Sequence, residues 1–381
     1  MTPAVVLQAS GPNALGIVRS LGRVGVPVVA CDHDPAALGL LSRYATPHAT
    51  RDPLADPQGF LDDLESLGRS LPGPAVLFAT HDEALAAIGP VEERLRPWFC
   101  RPWSPWPIME RVLDKRHQHA VARSIGFPVP ATVEPRDEAD VAAAGRELRF
   151  PVVLKPGYAP EFRRRLRVQV LEARDPEELR RQWELAAPYG PQVCEVIPGG
   201  DDRLWTLGSY RDAAGRALAS FTGRKLRQWP PRFGTARAAE SRWDPELAAR
   251  GHRLLDALGF HGISQVEVKR DPRDGRDYLM EVNPRSWLWV SLSAACGVNV
   301  PYACYRDATG APRTWPPGHR SGVRWTLLAK HLVASAREIR RGEWGLRELA
   351  GSLRPPVVDG VLDPRDPRPA LAQIRRLARR G

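Results

Sequence analysis

The chain has 381 residues, too many for one average domain of ~150 residues, and its 43% apolar and 26% charged residues fit a soluble globular protein with sizeable cores. No stretch reaches the ~20 apolar residues of a membrane helix. The five cysteines form no C-x-x-C pair, and their odd number argues against a disulfide framework, so all five read as buried small hydrophobes. A formal charge of +11 favours anionic partners (nucleotide phosphates, carboxylates or nucleic acid) without choosing among them.

The start, MTPAVVLQASGPNALG, lacks a basic leader region and reads as a first strand (4–8), which makes a cytoplasmic protein the expectation. Ala14, Leu15, Ile17, Val18 and Leu21 then form a helical stripe. Buried strands follow in VPVVACDHD and in AVLFATHDEAL, the latter running into a helix. Strands alternating with helices predict a parallel sheet with ligands at the carboxyl ends of its strands. Gly11 and Gly16 lie at a strand-to-helix turn, but G-x-G-x-x-G spacing is absent and a tight turn suffices. CRPWSPWPIME (100–110) lacks periodicity and reads as a linker.

One helix is predicted over MERVLDKRHQHAVARSIG, with Met109, Val112, Leu113, Ala120 and Val121 on one side. His117 and His119, two residues apart, share no helix face and argue against zinc. FPVVLKPGYAPEFRRRLRVQVL predicts two strands around an arginine-rich connection, and PQVCEVIPGGDDRLWTLGSY predicts strand, turn, strand. WDPELAARGHRLLDALGF reads as a helix capped by Asp244, with Pro245 in its first turn and Gly259 at its end. GISQVEVKR and DYLMEVNPR are the last strands, joined by DPRDG. Beyond about residue 310 the chain is rich in Pro and Arg, with helical stretches such as WTLLAKHLVASAREI. No internal repeat is found.

Strand residues alternate faces. In YLMEVN that sets Leu279, Glu281 and Asn283 on one face and Tyr278, Met280 and Val282 on the other. In ISQVEVK, Val266 and Val268 face away from Gln265, Glu267 and Lys269. A symmetric hairpin around 271–277 pairs Arg270 with Tyr278 and places Glu267 opposite Glu281. Like charges facing each other across strands are destabilising. A divalent cation offsets that, and two carboxylates plus an amide oxygen suit Mg2+ held together with phosphates. The alternative is a slipped register that separates the two glutamates on a solvated surface.

QVEVKRDPRDGRDYLMEVNPR resembles the metal-binding end of the ATP-grasp superfamily, in which an acidic residue on one strand and E-x-N on the next hold magnesium against ATP. On that resemblance Glu267, Glu281 and Asn283 are metal ligands, and Arg285 resembles the arginine that contacts the acid substrate or acyl-phosphate oxygens. Further parts occur in order. FPVVLKP offers Lys155 for the nucleotide phosphates, and LDKRHQHAVARSIGFPVP offers Lys115 as a second phosphate lysine. QVCEVIPGGDD resembles the adenine hinge, with Glu195, Val196 and Ile197 facing the base edge and Asp202, or its neighbour Asp201, on the ribose.

The resemblance implies an α/β architecture in three parts: a Rossmann-like preATP-grasp domain (1–105), a two-lobed ATP-grasp domain (106–310, small lobe about 125–200) and a C-terminal extension (311–381). It also implies ATP with Mg2+ as cofactors, Mn2+ being the alternative ion. The reaction implied is that of a carboxylate–amine ligase, joining small-molecule acids and amines through an acyl phosphate. Neither nucleic acid nor membrane is expected as a partner, and many relatives are homodimers.

Departures are visible. The connection after Lys155 carries Arg163, Arg164 and Arg165 where small glycine-rich residues are usual; they offer guanidinium contacts to phosphate or form a solvated charge run. In GRKLRQWPPRFGTA, Lys225 and Arg227 are candidates for the γ-phosphate or an acidic substrate. Trp289 stands where bicarbonate chemistry would need an acidic base, and Trp287 and Trp289 are expected to shape the substrate pocket. His81 and Asp82, at the end of VLFATHDE, are placed where first-domain strand ends could face the site, but no residue is identified as the base for the amine. The rival readings are an inactive scaffold of this fold and a basic nucleic-acid-binding protein.

Overall fold

The protein is described by a computed structural model in which residues 1–155, 162, 165–168 and 170–378 are placed. Ala4–Leu7 (β1) is buried on both faces: Ala4 and Val6 pack with Ile17 and Val18, and Val5 and Leu7 pack with Phe60 and Leu64. Those partners lie on Pro12–Gly22 (α1) and Pro57–Ser70 (α2). With Val28–Asp32 (β2), Thr46–Ala49 (β3), Ala75–Phe78 (β4) and Phe99–Cys100 (β5), β1 forms a wholly parallel sheet in the order β3-β2-β1-β4-β5. Asp82–Ile88 (α3) and Glu92–Leu95 (α4) follow β4. Cys100 is exposed at the end of β5, contrary to the expectation that all five cysteines are buried; the other four are.

The single helix expected over 109–126 is two, Trp106–Leu113 (α5) and Lys115–Ser124 (α6). Asp114 separates them in extended conformation, its side chain accepting the Arg116 N–H at 2.9 Å as a new N-cap. The restart changes the helical phase, so Gln118, His119 and Ala122 are buried while Ala120 is exposed.

Thr132–Val133 (β6), Val152–Lys155 (β7), Leu171–Ala173 (β8) and Gln192–Glu195 (β9) form an antiparallel sheet in the order β6-β9-β7-β8. Its core, with Leu154, Val193, Leu179 and Trp183, is separate from the others. The larger sheet contains Leu204–Arg211 (β10), Ala217–Trp229 (β11), Thr235–Ser241 (β12), Gly262–Arg270 (β13), Asp277–Asn283 (β14), Arg324–Thr326 (β15) and Val357–Asp359 (β16). Their order is β14-β13-β10-β11-β12-β15-β16, antiparallel except between β15 and β16.

The parallel sheet and the large sheet share both of their cores. Ile17 and Val18 belong with Tyr210, Phe221 and Val290 in one, and Leu77 with Val266 and Val282 in the other. Gly16 permits part of this: an added Cβ would stand 3.0 Å from Val290 Cγ1. Trp287 and Trp289 are 1% exposed in the first core, so they shape no substrate pocket. Trp287 stacks on Phe221 at 6.1 Å, and Gly208 and Gly223 leave room for the two indoles.

The C-terminal region adds two strands to the large sheet, with Trp325 and Thr326 in β15 and not in the helix that begins at Leu328. The helix Leu328–Arg340 locks onto β12 through Arg237, which is fully buried. Arg237 pairs with Glu338 and donates to Ser335 Oγ at 2.9 Å and to the carbonyls of His331 and Gln228 at 3.1 and 3.2 Å.

Candidate active site

β14 and β13 are the first two strands in the order of the large sheet and carry the acidic residues. Glu267 is the direct partner of Glu281 and Gln265 of Asn283. Near the turn, however, Arg270 pairs with Asp277 and Lys269 with Tyr278, one step from the expected register. A bulge reconciles the two ends: Met280 is the extra residue, between the Val268–Leu279 and Glu267–Glu281 pairs. It also breaks the alternation. Leu279 joins Val282 in the core and does not share the face of Glu281.

β14 is an edge strand, and Gln118 from α6 takes the place of a missing neighbour. Its side chain donates to the Val282 carbonyl and accepts the Val282 N–H, both at 2.7 Å. The Leu279 N–H donates to the Pro128 carbonyl at 2.8 Å. These bonds fix α6, and therefore Lys115, beside Glu281.

Each glutamate holds a lysine. Lys115 Nζ lies 2.6 Å from Glu281 Oε2, and Lys225 Nζ lies 2.7 Å from Glu267 Oε2. The Lys115 ammonium holds the Glu281 carboxyl well below the usual carboxylate range, overcoming burial and helped by a hydrogen bond from Asn283. Lys225 and Glu267 are both nearly buried. Asn283 Nδ2 donates to Glu281 Oε1 at 3.1 Å and to Gln265 Oε1 at 3.2 Å; Gln265 in turn donates to Thr206 Oγ1 at 3.1 Å. Lys269 continues this face, its ammonium pushed down by burial although Asp201 opposes the shift.

Arg285 extends from β14 to the parallel sheet. Its Nε and Nη2 donate to the two oxygens of Asp82 at 2.7 and 3.3 Å, and Nη2 also donates to Asn283 Oδ1 at 3.1 Å. Burial lowers the guanidinium pKa, but the Asp82 charge and hydrogen bond more than offset it, so the net shift is upward. Asp82 opens α3 at the carboxyl end of β4, where parallel sheets collect ligands.

The remaining candidates lie around this centre. Lys155 ends β7 beside Gln192 of β9. His119 is buried, its pKa pushed down to about 4 by burial and then by the Lys155 charge, with the Met280 backbone opposing the shift. Glu195 accepts the Arg149 N–H at 2.9 Å, the Val196 N–H donates to the Pro151 carbonyl, and Ile197 is buried. Asp201 receives the Gln228 N–H and side-chain amide at 2.8 and 2.9 Å, whereas Asp202 is exposed. Arg227 sits between two register shifts of β11 and stacks over Trp344 at 4.8 Å, on the C-terminal side of the hairpin. Arg163 and Arg164 lie outside the described residues, and Arg165 is exposed.

The sequence missed Gln118, Gln265, Thr206 and the Arg285–Asp82 pair as parts of the site. A glutamine facing a strand edge has no spacing signal, and Asp82 lies 203 residues from its partner.

Among the described residues no three His, Cys, Asp or Glu side chains cluster as a metal site. The donor set is instead two carboxylates and one amide on one sheet face, hard oxygen ligands matched to a divalent cation that takes its other ligands from phosphates and water. The two lysines balance the like charges of the glutamates. The residues therefore fit Mg2+.

Two lobes with separate cores and a Rossmann-like sheet docked on the larger define an α/β protein of the ATP-grasp fold. No family model matches it. It is similar to the D-aspartate ligase of Enterococcus faecium (strain Aus0004), 26% identical over 233 residues, 57% of this chain and 55% of that one. It is also similar to the D-alanine–D-alanine ligase of Pseudomonas fluorescens (strain Pf0-1), 27% identical over 182 residues, 45% and 53% of the two chains. The chain thus spans about half the length of these curated relatives. Among solved structures it resembles the ADP complex of N5-carboxyaminoimidazole ribonucleotide synthetase with a TM-score of 0.65, 14% identity and coverage of 90% and 86%. No helix among the described residues is long and apolar enough to cross a membrane.

Proposed function

We propose that the protein is an ATP- and Mg2+-dependent carboxylate–amine ligase. The observation that carries this reading is the facing pair Glu267 and Glu281, with Asn283 ending the same strand, Arg285 two residues beyond it and a lysine on each carboxylate. Glu267, Glu281 and Asn283 would hold Mg2+, which when bound supplies charge neutralisation to the β- and γ-phosphates; Mn2+ is the alternative ion. Lys115 and Lys155 are assigned to phosphates, Glu195 to Ile197 to adenine, and Asp202 to ribose.

In this reading a substrate carboxylate attacks the γ-phosphate, giving an acyl phosphate and ADP. Arg285 binds the acyl-phosphate oxygens and Lys225 the transferred phosphoryl group. An amine then displaces phosphate to form an amide. Fixed positive charge and positioning supply most of the acceleration, since phosphoryl transfer needs little covalent help from the protein. Arg227, stacked over Trp344, is the further candidate for the γ-phosphate or an acidic substrate. Two of the similar proteins are named as ligases of D-amino acids, which makes amino acids the first substrates to try.

The test is ADP release from ATP and Mg2+ with panels of D- and L-amino acids as acid and amine, comparing the wild type with Glu281→Ala. Acid-dependent ADP release lost in the variant supports the ligase. A thermal upshift with ATP and Mg2+ but no turnover with any pair points to an inactive scaffold. No upshift, together with salt-sensitive binding of nucleic acid, favours the nucleic-acid reading.

A further inference from the structure

Hydrogen bonds fix the ring of His81. Thr80 is buried, and its Oγ1 lies 2.9 Å from the carbonyl oxygens of both Leu7 and Gln8 and 2.8 Å from His81 Nδ1. Carbonyls only accept, so the single hydroxyl proton belongs to them. The hydroxyl oxygen then accepts from Nδ1, which carries the ring proton. Nε2 is left as an unprotonated acceptor.

Asn13 decides where that nitrogen stands. Its buried side chain donates to the Thr80 carbonyl at 2.9 Å and to the Ser286 carbonyl at 3.1 Å, and accepts from Ser286 Oγ at 2.7 Å. One amide thus pins Thr80–His81 to Arg285–Ser286. Burial and then the Arg285 charge hold the His81 pKa below its ordinary value, while Glu83, Asp82 and Asp32 act in the opposite direction. The imidazole is thereby biased towards its neutral form, and its Thr80 anchor is tied to the segment that carries the guanidinium assigned to the acyl phosphate.

We propose that His81 is the general base for the amine, an assignment that rests on the ligase reading. The ammonium first gives one proton to His81 Nε2, which passes it to bulk water. The freed amine nitrogen bonds to the acyl carbon, the carbon–oxygen bond to phosphate breaks, its electron pair leaves with phosphate, and the second N–H proton departs with that phosphate. No further reactant is required.

The test separates the two half-reactions. Hydroxylamine is neutral near pH 7 and traps an acyl phosphate as a hydroxamate without needing a strong base. Amino acids enter as amines mainly protonated and do need one. His81→Gln is expected to lose roughly 10²–10⁴-fold in amide formation, to lose far less in hydroxamate formation, and to lose the acidic limb of the amide pH profile. Thr80→Val, which frees Nδ1, is expected to weaken amide formation selectively, with Thr80→Ser restoring it. Equal loss of both products in His81→Gln would assign the residue to binding or folding and overturn the proposal. So would an unchanged amide rate with its acidic limb intact. Absence of acid-dependent hydroxamate from the wild type would instead remove the ligase reading, and this assignment with it.

Discussion

Lys225 and Glu267 form an ion pair at 2.7 Å, nearly buried, on the same face as the cross-strand partner Glu281. Removing one member of a buried pair leaves an uncompensated charge and costs about 3–5 kcal/mol. Lys225→Met is therefore expected to lower the melting temperature by several degrees. Mg2+ without nucleotide should recover more of that loss than it adds to the wild type, because it supplies the missing positive charge. Thermal shift with and without Mg2+ measures both effects.

Arg285 is held by both oxygens of Asp82. A lysine cannot reproduce that fork. Arg285→Lys is expected to lower kcat for acid-dependent ADP release by at least about tenfold, the equivalent of losing ~1.4 kcal/mol of transition-state stabilisation. Asp82→Asn keeps one acceptor and is expected to raise KM for the acid more than it lowers kcat. Steady-state kinetics with the best acid distinguish the two patterns.

The sequence made part of this site legible and hid the rest for physical reasons. Alternation and hairpin symmetry brought Glu267 opposite Glu281. They could not show the extra residue at Met280, which corrects the register near the turn and moves Leu279 into the core. A bulge leaves no mark in a pattern of period two. Asp114 is an N-cap in a stretch whose periodicity otherwise runs on, so the restart of α6 and the inward turn of Gln118 and His119 were invisible. Trp287 and Trp289 lie past the end of β14 and point into space opened by Gly208 and Gly223 on other strands, a long-range fit that no local pattern carries. The parallel sheet was readable because its strands are short apolar runs between helices. The joining of β15 and β16 to the large sheet was not, because three-residue strands carry almost no period.

Glu338 compensates a fully buried guanidinium at Arg237. Glu338→Ala is expected to destabilise the protein by about 3–5 kcal/mol, whereas a paired Arg237→Met and Glu338→Leu change should recover much of that. Because Arg237 also holds the Gln228 carbonyl, and Gln228 holds Asp201, the neighbour of the ribose residue Asp202, the single variant should in addition weaken ATP binding. Melting curves and nucleotide titration of the three proteins test both parts.

His331 and His252 each have a pKa pushed down to about 4, by burial first and then by the charge of Arg237 and Arg211 respectively. Unfolding returns each to about 6.5. Between those values the unfolded chain binds more protons than the native one, so stability rises with pH across that window and is lost as pH falls from about 6.5 towards 4. Melting temperature measured across that range should drop on acidification, and His331→Gln should flatten the slope.

The central claim is that Glu267, Glu281, Asn283 and Arg285 support transfer of a phosphoryl group onto a substrate carboxylate. The most direct measurement follows oxygen: an acid labelled with 18O in its carboxylate is turned over with ATP, Mg2+ and an amine, and the phosphate released is analysed by 31P NMR. The account predicts one labelled oxygen in each phosphate, formed by the wild type and not by Glu281→Ala. Phosphate free of label during amide formation would contradict it.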